Sequence, residues 1–329
     1  MEETKLNIIK TVDAEGVILC QDITKIVKGE FKGALFSKGH QVKAEDIPVL
    51  LRLGKEHLFL SSEESEMIHE NEAADFLYHL IADKFMQPTP ISEGKIEVVA
   101  KVEGLLKVDQ DLLLALNSIE KIAVATLKSN QKVCAGQTVA GTRIIPLEIA
   151  PETLFQAEKL VGHQTVLSLI PFKPVTIGIV TTGSEVFNGL ITDSFTPVVK
   201  DKLSDYPTVS IKFHEVVNDD PVLITKAIEK MLAAGADIVF CTGGMSVDPD
   251  DRTPLAIKQT GADIISHGTP VMPGSMLLLA YLDGKTIVGL PGGVLFCERT
   301  VFDILLPRIV AQDTITKQEI AALGYGGYL

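Results

Sequence analysis

The sequence predicts an α/β protein: a doubly wound, mostly parallel sheet in the C-terminal half, preceded by smaller mixed α+β regions. Two observations lead to this fold class. Beyond residue 171, apolar runs of strand length alternate with segments of helical periodicity, and glycine-rich turns follow several of these runs. Regular alternation of strand and helix is typical of parallel sheets, because neighbouring parallel strands need a crossover connection, usually a helix.

The C-terminal elements follow from these runs. Apolar and β-branched runs predict strands at residues 175–180, 209–217, 237–241, 264–265, 276–282 and 286–290. Helical periodicity predicts helices at residues 191–203, 221–234, 253–259 and 294–310. Pro221 suits the first turn of a helix, so either Asp219 or Asp220 is expected to cap the second of these helices.

The length of 329 residues suits two or three domains, and these are predicted at residues 1–90, 91–170 and 171–329. In the first region a helix is predicted from Ser61 to residue 85, because Ser61 and Glu64 have the spacing of a capping box. The second region is predicted to be rich in β-structure. Its expected elements are strands at 96–102 and 122–127, a hairpin within 133–145, and helices at 109–116 and 152–160.

Composition excludes several classes of function. The formal net charge is −13 without a long Lys or Arg cluster, so neither nucleic acid nor a membrane surface is an expected partner. No apolar run reaches the roughly 18 residues of a transmembrane helix, and no leader-like segment opens the sequence, which predicts a cytoplasmic protein. The four cysteines lack the spacing of a metal or redox pair, and Cys241 and Cys297 are predicted to be buried thiols.

Residues able to bind a ligand occur where the predicted strands end, which is where ligands bind in open α/β sheets. Glycines there let a ligand approach the backbone, hydroxyl groups suit a phosphate, and nearby carboxylates could hold a divalent cation. The ligand-binding candidates are Thr182, Gly183, Ser184, Thr242, Gly243, Gly244, Ser246, Ser275, Pro291 and Gly292. The acidic candidates are Glu185, Asp219, Asp220 and Asp251. Asp250 and Asp251 also fit a simple capping role before the helix at 253–259.

Together these motifs resemble the molybdopterin-binding domain shared by the MoeA and MogA molybdenum cofactor biosynthesis proteins. The matching motifs are Thr182-Gly183-Ser184-Glu185, Val217-Asn218-Asp219-Asp220-Pro221, Thr242-Gly243-Gly244 with Ser246, Asp251-Arg252-Thr253-Pro254 and Gly289-Leu290-Pro291-Gly292. They occur in the order and approximate spacing of the family over residues 174–312. A shorter and less specific part of the N-terminal region, from Phe31 to His57, also resembles sequence of some MoeA-like proteins.

The resemblance implies a ligand and a set of residue roles. Molybdopterin or the molybdenum cofactor would be bound, with the glycine and hydroxyl candidates around its phosphate or its adenylylated form. Mg²⁺ would be held by Glu185, by Asp219 or Asp220, and by Asp251. Glu185 and Asp251 would be the catalytic residues of an Mg²⁺-dependent molybdate insertion. The resemblance also implies a homo-oligomer, a dimer or a trimer, that serves a client molybdoenzyme.

The chain departs from MoeA-type molybdotransferases in three places. Met272 and Ser275 stand where those proteins carry lysines, Gly293-Val294 replaces the Asn-Pro after Leu-Pro-Gly, and the N-terminal Asp-Gly-Tyr-Ala motif is absent. Arg252 and Lys285 are the candidates to supply positive charge instead. These departures favour a second hypothesis, in which the chain is a carrier or sensor that binds the cofactor without chemistry.

Two further interpretations stay open. The chain could be a nucleotide pyrophosphate hydrolase that resembles the competence-damage-inducible family, because Asp250-Asp251-Arg252-Thr253 matches its Asp-Asp-x-Thr pattern. In the N-terminal half, His69 and Glu72 would share one helix face, with His57 and His79 nearby. That grouping predicts either half of a metal site or an exposed polar face.

Overall fold

The computed structural model describes residues 8–60, 66–246, 248–249 and 251–329. By its internal contacts the chain divides into two compact units. Unit 1 comprises Met1–Val102, Leu106–Ser129 and Val133–Leu169, and unit 2 comprises Glu103–Leu105, Asn130–Lys132 and Ile170–Leu329. The predicted domain boundary at residue 90 stays a prediction. Within the described ranges, no helix combines the length and the apolar character that crossing a bilayer requires.

The elements of the described residues have the following bounds. The strands are β1 Ile8–Lys10, β2 Ile23–Val27, β3 Phe31–Phe36, β4 His57–Phe59, β5 Ile68–His69, β6 Met86–Pro88, β7 Lys95–Ala100, β8 Gly104–Val108, β9 Ile122–Thr126, β10 Gln131–Val133, β11 Thr138–Ile144, β12 Glu148–Ile149, β13 Leu167–Pro171, β14 Val175–Thr182, β15 Val209–Val217, β16 Ile238–Thr242, β17 Asp263–His267, β18 Leu278–Leu282 and β19 Lys285–Leu290. The helices are α1 Ile47–Arg52, α2 Glu70–Ile81, α3 Gln110–Asn117, α4 Pro151–Val161, α5 Ser184–Phe187, α6 Phe195–Ser204, α7 Pro221–Ala233, α8 Thr253–Gln259, α9 Gly293–Phe296, α10 Val301–Val310 and α11 Lys317–Ala322.

Unit 1 is built on an antiparallel sheet with strand order β6-β7-β11-β9. Helix α2 packs on this sheet because Ala73, Ala74, Leu77 and Ile81 recur at helical spacing and are fully buried. The helix begins at Glu70, where the His69 side chain accepts a hydrogen bond from the backbone N–H of Asn71. The predicted start at Ser61, with its capping box to Glu64, lies outside the described residues.

Two sequence expectations about local structure were wrong. Residues 133–145 do not form a hairpin, because β10 and β11 lie in different sheets and β11 pairs with β7 and β9. The closing helix predicted at 294–310 is broken into α9 and α10. Thr300 and Asp303 form a capping box that starts α10, so the chain cannot continue helically from α9.

Unit 2 contains a six-stranded sheet with strand order β15-β14-β16-β19-β18-β17. The first four strands in this order are mutually parallel. At one edge β18 pairs antiparallel with β19, and β17 pairs antiparallel with β18. The predicted doubly wound, mostly parallel sheet is therefore confirmed. The predicted burial of Cys241 is confirmed, and burial raises the pKa of its free thiol to about 12. The same prediction was wrong for Cys297, which is only half-buried.

Helices cover both faces of this sheet, because successive side chains of each buried strand point to opposite faces. On one face, Ile177 and Ile179 of β14 pack with α6 and α10 in what we call the α6-side cluster. On the other face, Val180 of β14 packs with α7 and α8 in the α7-side cluster. Strand β16 alternates in the same way, with Phe240 in the first cluster and Cys241 in the second.

The strand order reverses at β14. The chain leaves β14 and returns as β15 on one side of it, by way of α6. From β15 it then crosses over β14 by way of α7 and enters the sheet as β16 on the other side. The loops after β14 and β16 therefore diverge towards opposite faces of the sheet, which is the topology that opens a ligand crevice in α/β proteins.

Candidate ligand-binding site

A cavity of about 540 Å³ opens at the carboxyl ends of β14 and β16, where the loops diverge. This volume lies within the roughly 300–1,000 Å³ that small-molecule sites span. We call it the strand-end cavity. It is lined by Thr181, Thr182, Gly183, Glu185, Val186, Ile191, Thr192, Asp193, Ser194, Phe195, Asp219, Thr242, Gly243, Gly244, Asp248, Pro249, Asp251 and Leu295.

Part of the candidate set from the sequence lies together in this cavity. The lining candidates are Thr182, Gly183, Glu185, Asp219, Thr242, Gly243, Gly244 and Asp251. The other candidates do not line it: Ser184, Asp220, Ser246, Ser275, Pro291 and Gly292. Ser184 is nevertheless adjacent, because its backbone N–H and its hydroxyl donate to Asp219 Oδ2 at 2.7 and 2.9 Å. Asp220 caps α7 by accepting from the backbone N–H of Val222 at 2.8 Å.

The floor of the cavity is held by threonine hydroxyls and close backbone contacts. Thr253 donates to the carbonyl oxygen of Gly243 at 2.8 Å, and its hydroxyl lies 3.2 Å from that of Thr182. Because a hydroxyl has one proton to give, Thr182 is the donor in the second bond. Its proton therefore joins the end of β14 to the start of α8 and is not directed into the cavity.

Gly243 and Gly244 are required by this packing. Both have a positive φ, +87° and +56°. A Cβ on Gly243 would lie 2.4 Å from the Thr182 carbonyl oxygen, and one on Gly244 would lie 2.9 Å from Thr253 Oγ1. Only glycine combines this backbone conformation with this close approach.

The hydroxyl of Thr242 is different, since it has no hydrogen-bond partner among the described residues. Thr242 ends β16, lines the strand-end cavity and is 0% exposed. A buried hydroxyl without a partner costs roughly 1–3 kcal/mol. A ligand that offered it a donor or an acceptor would recover part of that cost.

The strand-end cavity is acidic. Its carboxylates are Glu185, Asp193, Asp219, Asp248 and Asp251, and no lysine, arginine or histidine lines it in the described part of the chain. The Glu185 side chain makes no hydrogen bond or ion pair to any described residue. Asp251 Oδ2 accepts from the backbone N–H of Asp248 at 3.2 Å, so these two residues form one small turn. Asp250, the other acidic residue of that motif, lies outside the described residues.

Carboxylate oxygen is the ligand type that Mg²⁺ prefers, so the donor chemistry of the cavity suits that ion. The geometry does not form a preassembled site. Among the residues that the structure describes, no three His, Cys, Asp or Glu side chains lie together as metal ligands. The predicted convergence of Glu185, Asp219, Asp220 and Asp251 on one cation is therefore not present in the described side-chain arrangement.

The structure adds cavity residues that sequence reasoning missed, above all Asp193. The sequence predicted a helix over 191–203, whereas α6 begins only at Phe195. Asp193 lies before it and accepts from the backbone N–H groups of Phe195 and Thr196 at 2.9 and 3.1 Å. Burial alone would raise the Asp193 pKa, but hydrogen bonds from Thr196, Phe195 and Thr181 outweigh burial and lower it. The available signal was the spacing of an acidic cap before an apolar helical run.

The residues expected to supply positive charge lie elsewhere. Lys285 begins β19, so it stands at the opposite edge of the parallel sheet, where its ammonium donates to the Leu232 carbonyl oxygen. Arg252 precedes α8 without lining the cavity. Met272 pairs with the C-terminal segment through hydrogen bonds to Gly327 and Leu329. Neither Lys285 nor Arg252 therefore lines the strand-end cavity beside its carboxylates.

The proposed half-site around His69 is not supported. Its Nδ1 accepts from the Asn71 backbone N–H at 3.1 Å, and its Nε2 lies 2.7 Å from the Cys20 carbonyl oxygen. Both ring nitrogens are therefore occupied by the protein. Burial lowers the pKa of His69, which agrees with a neutral ring in this position.

Two family models match separate parts of the chain. Residues 178–311 match a family described as "Probable molybdopterin binding domain". Residues 8–62 match a family described as a domain of unknown function. The first match contains both strand-end loops of the cavity, after β14 and after β16.

Curated relatives align only with part of the chain. A molybdopterin molybdenumtransferase of Staphylococcus epidermidis is 30% identical over 129 residues, which is 37% of this chain and 30% of that protein. A molybdopterin molybdenumtransferase of Staphylococcus aureus is 28% identical over 136 residues, 38% of this chain and 31% of that protein. The match thus spans about a third of the length of these relatives.

The solved structures that match this chain share little sequence identity with it. The molybdopterin biosynthesis enzyme MoaB from Thermus thermophilus is 19% identical, with a TM-score of 0.34, and the match covers 43% of this chain and 98% of that chain. The molybdopterin biosynthesis MoeA protein from Pyrococcus horikosii is 16% identical, with a TM-score of 0.36, over 75% of this chain and 80% of that chain.

Proposed function

We propose that this chain, whose residues 178–311 match the family described as probable molybdopterin binding domain, binds molybdopterin or a derivative of it in the strand-end cavity. The role would be in molybdenum cofactor biosynthesis. The observation that carries the proposal is the buried, unpartnered hydroxyl of Thr242 on the wall of a cavity at the switch point of the sheet. Both features point to a ligand at this place independently of any relative.

Binding of a phosphorylated pterin needs a counter-charge that the cavity does not provide. The lining holds carboxylates and no cationic side chain in the described ranges, so a bare phosphate would be repelled. We therefore include Mg²⁺ in the proposal as a partner of the ligand. Glu185, Asp219 and Asp251, which line the cavity, are the carboxylates proposed to hold it. When bound, Mg²⁺ would neutralise phosphate oxygens and would stabilise charge that develops as a phosphoanhydride breaks.

Two versions of this function differ in chemistry. In the first, Glu185 and Asp251 promote cleavage of adenylylated molybdopterin, with AMP leaving as molybdate is inserted. The Staphylococcus relatives carry the name molybdopterin molybdenumtransferase. In the second, the chain carries or senses the cofactor without chemistry. The loop at Met272 and Ser275 lines no part of the cavity and carries no lysine, which favours the second version.

The test is titration of the purified chain with molybdopterin and with adenylylated molybdopterin, each with Mg²⁺ and with a chelator. Saturable binding that requires Mg²⁺ supports the proposal. Release of AMP and uptake of molybdate, both lost in Glu185→Ala, would support the catalytic version. Absence of binding to both pterins by the folded chain would refute the proposal, and hydrolysis of ADP-ribose in its place would support the nucleotide pyrophosphatase alternative.

A further inference from the structure

His214 of β15 belongs to a polar network at one wall of the strand-end cavity. Its Nε2 lies 3.0 Å from Thr181 Oγ1, 3.2 Å from Thr196 Oγ1 and 3.5 Å from Asp193 Oδ2. The two threonine hydroxyls are 3.1 Å apart, and Thr181 donates to Asp193 Oδ2 at 3.2 Å. Four side chains from two strands and the start of α6 therefore meet at one point.

A β-bulge brings His214 to this point. Ile177 of β14 pairs with Ile211, but the next residue, Gly178, pairs with Phe213, so Lys212 is an extra residue in β15. An extra residue reverses the faces of all the side chains that follow it. Accordingly Ile211 packs on the α6-side cluster and Phe213 on the α7-side cluster. His214 consequently faces α6, and in an unbulged strand it would face α7.

The arrangement of the hydrogen bonds favours a proton on the Nε2 atom of the His214 ring. Thr181 has one hydroxyl proton, which it donates to Asp193. The 3.0 Å contact between Thr181 Oγ1 and His214 Nε2 can then be a hydrogen bond only if Nε2 carries a proton. His214 thus donates to the same threonine that donates to the carboxylate, and each bond of this chain orients the next.

Asp193 is the acceptor at the centre of the network. One carboxylate oxygen accepts from the backbone N–H groups of Phe195 and Thr196, and the other accepts from Thr181. These bonds leave it little capacity for a cation, in contrast with Glu185. Residues 191–195 line the strand-end cavity, so the position of this carboxylate determines the position of one cavity wall.

We propose that His214 and Asp193 are positioning residues: His214, acting through Thr181 and Thr196, fixes Asp193 and with it the wall formed by residues 191–195 before a ligand enters. The proposal rests on the proposed function only for the identity of that ligand. His214 itself does not line the cavity, so its influence on binding is indirect. Preorganising a binding wall improves affinity, because the ligand need not order that wall itself.

The ligand-free test is amide hydrogen exchange at Phe195 and Thr196, whose N–H groups bond to Asp193. Both amides should exchange roughly tenfold faster in Thr181→Val and in His214→Leu, because a charge-assisted bond is weakened. They should remain near the wild-type rate in Thr181→Ser and His214→Gln, which keep a donor in place. Amides of the buried strand β16 serve as the internal reference for overall stability. Exchange that does not change in Thr181→Val and His214→Leu, or that rises equally in all four variants, would overturn the proposal.

Nitrogen-15 NMR of the ring provides a second ligand-free readout: wild-type protein at neutral pH should show the proton on Nε2, and a proton on Nδ1 alone would contradict the network. The binding test compares His214→Leu with His214→Gln by molybdopterin titration. A roughly tenfold weaker Kd in the first and a smaller change in the second is expected. Equal losses in both variants would contradict the proposal. Failure of the wild-type chain to bind any pterin would instead refute the proposed function, and the exchange and NMR results would still decide the positioning role.

Discussion

Gly243 and Thr182 approach so closely that a Cβ on Gly243 would lie 2.4 Å from the Thr182 carbonyl oxygen. Thr182 ends β14 and Gly243 follows β16, the two strands at the reversal of strand order. Both residues line the strand-end cavity, so their close contact fixes one part of its lining.

Replacing Gly243 by alanine should therefore destabilise the chain. The new methyl group would meet backbone at Thr182, and alanine is strained at a φ of +87°. We expect the free energy of unfolding to fall by about 1–3 kcal/mol, together with weaker pterin binding. Urea denaturation measures the first effect and ligand titration the second. The matched control is Gly261→Ala, which has a φ of +82° but open space around it. If both variants lower the free energy of unfolding equally, the close contact with Thr182 adds nothing to the destabilisation caused by Gly243→Ala.

Thr242→Val should affect pterin binding without lowering the stability of the chain. Valine has nearly the shape of threonine and removes a buried hydroxyl that has no partner among the described residues. The free energy of unfolding should stay equal or increase, whereas pterin affinity should fall several-fold if the hydroxyl contacts the ligand. Thr142→Val is the control, because Thr142 is equally buried and unpartnered among the described residues but lies in unit 1. Unchanged affinity in Thr242→Val would remove this hydroxyl from the site.

Glu185→Gln should change the Mg²⁺ dependence of binding. With Mg²⁺ present, loss of a carboxylate should weaken pterin binding by about tenfold, a free-energy change of about 1.4 kcal/mol. With a chelator present, the same change should leave affinity equal or higher, because one repulsive charge is gone from the cavity. Glu229→Gln, on the exposed surface of α7, should have neither effect. Titration of both variants with pterin, with and without Mg²⁺, measures whether the Mg²⁺ dependence of affinity has changed. Equal weakening in both conditions would argue against a cation held near Glu185.

Glu70 predicts a pH dependence of the stability of unit 1. Burial raises the pKa of this carboxyl, with Arg143 Nη2 at 3.9 Å as a partial offset. Because the folded-state pKa is above the unfolded one, the folded state binds more protons in the interval between them. The stability that Glu70 contributes is complete below its unfolded pKa and is lost as pH rises through the folded value.

The stability of wild type relative to Glu70→Gln should therefore fall as pH is raised from about 4 to about 7. Glu97→Gln is the matched control of opposite sign. A hydrogen bond from Lys95 lowers the pKa of Glu97, so stability relative to that variant should rise over the same interval. Urea unfolding curves at several pH values measure both trends. A flat difference for Glu70→Gln would show that its carboxyl is solvated in the folded chain.

The sequence predicted a large part of the α/β unit because its strands are buried on both faces. A run such as residues 175–180 is apolar throughout, which favours a central parallel strand, and the structure places its alternate residues in the α6-side and α7-side clusters. Thr182 and Thr242 could be selected as site candidates for the same reason. They follow closely on the strands predicted at residues 175–180 and 237–241, and the carboxyl ends of parallel strands meet at one edge of a sheet.

Some local features could not be read from periodicity. The helix predicted over residues 191–203 included Asp193, because Ile191 fits the apolar spacing of α6. The structure begins α6 only at Phe195, after Asp193. The break between α9 and α10 was also missed, although Thr300 and Asp303 have capping-box spacing, because the flanking apolar residues keep a helical pattern across it. In both cases a side chain that satisfies backbone N–H groups overrode the hydrophobic pattern.

Residue patterns along the chain indicate most of the buried segments, the elements of the α/β unit and the strand ends that carry glycine, hydroxyl and carboxylate groups. Which of these groups meet depends on contacts between distant segments. The face of His214 depends on a bulge at Lys212, and the fit of Gly243 depends on the neighbouring position of β14. Register and strand order arise from contacts between segments distant in sequence, so no local pattern along one segment contains them.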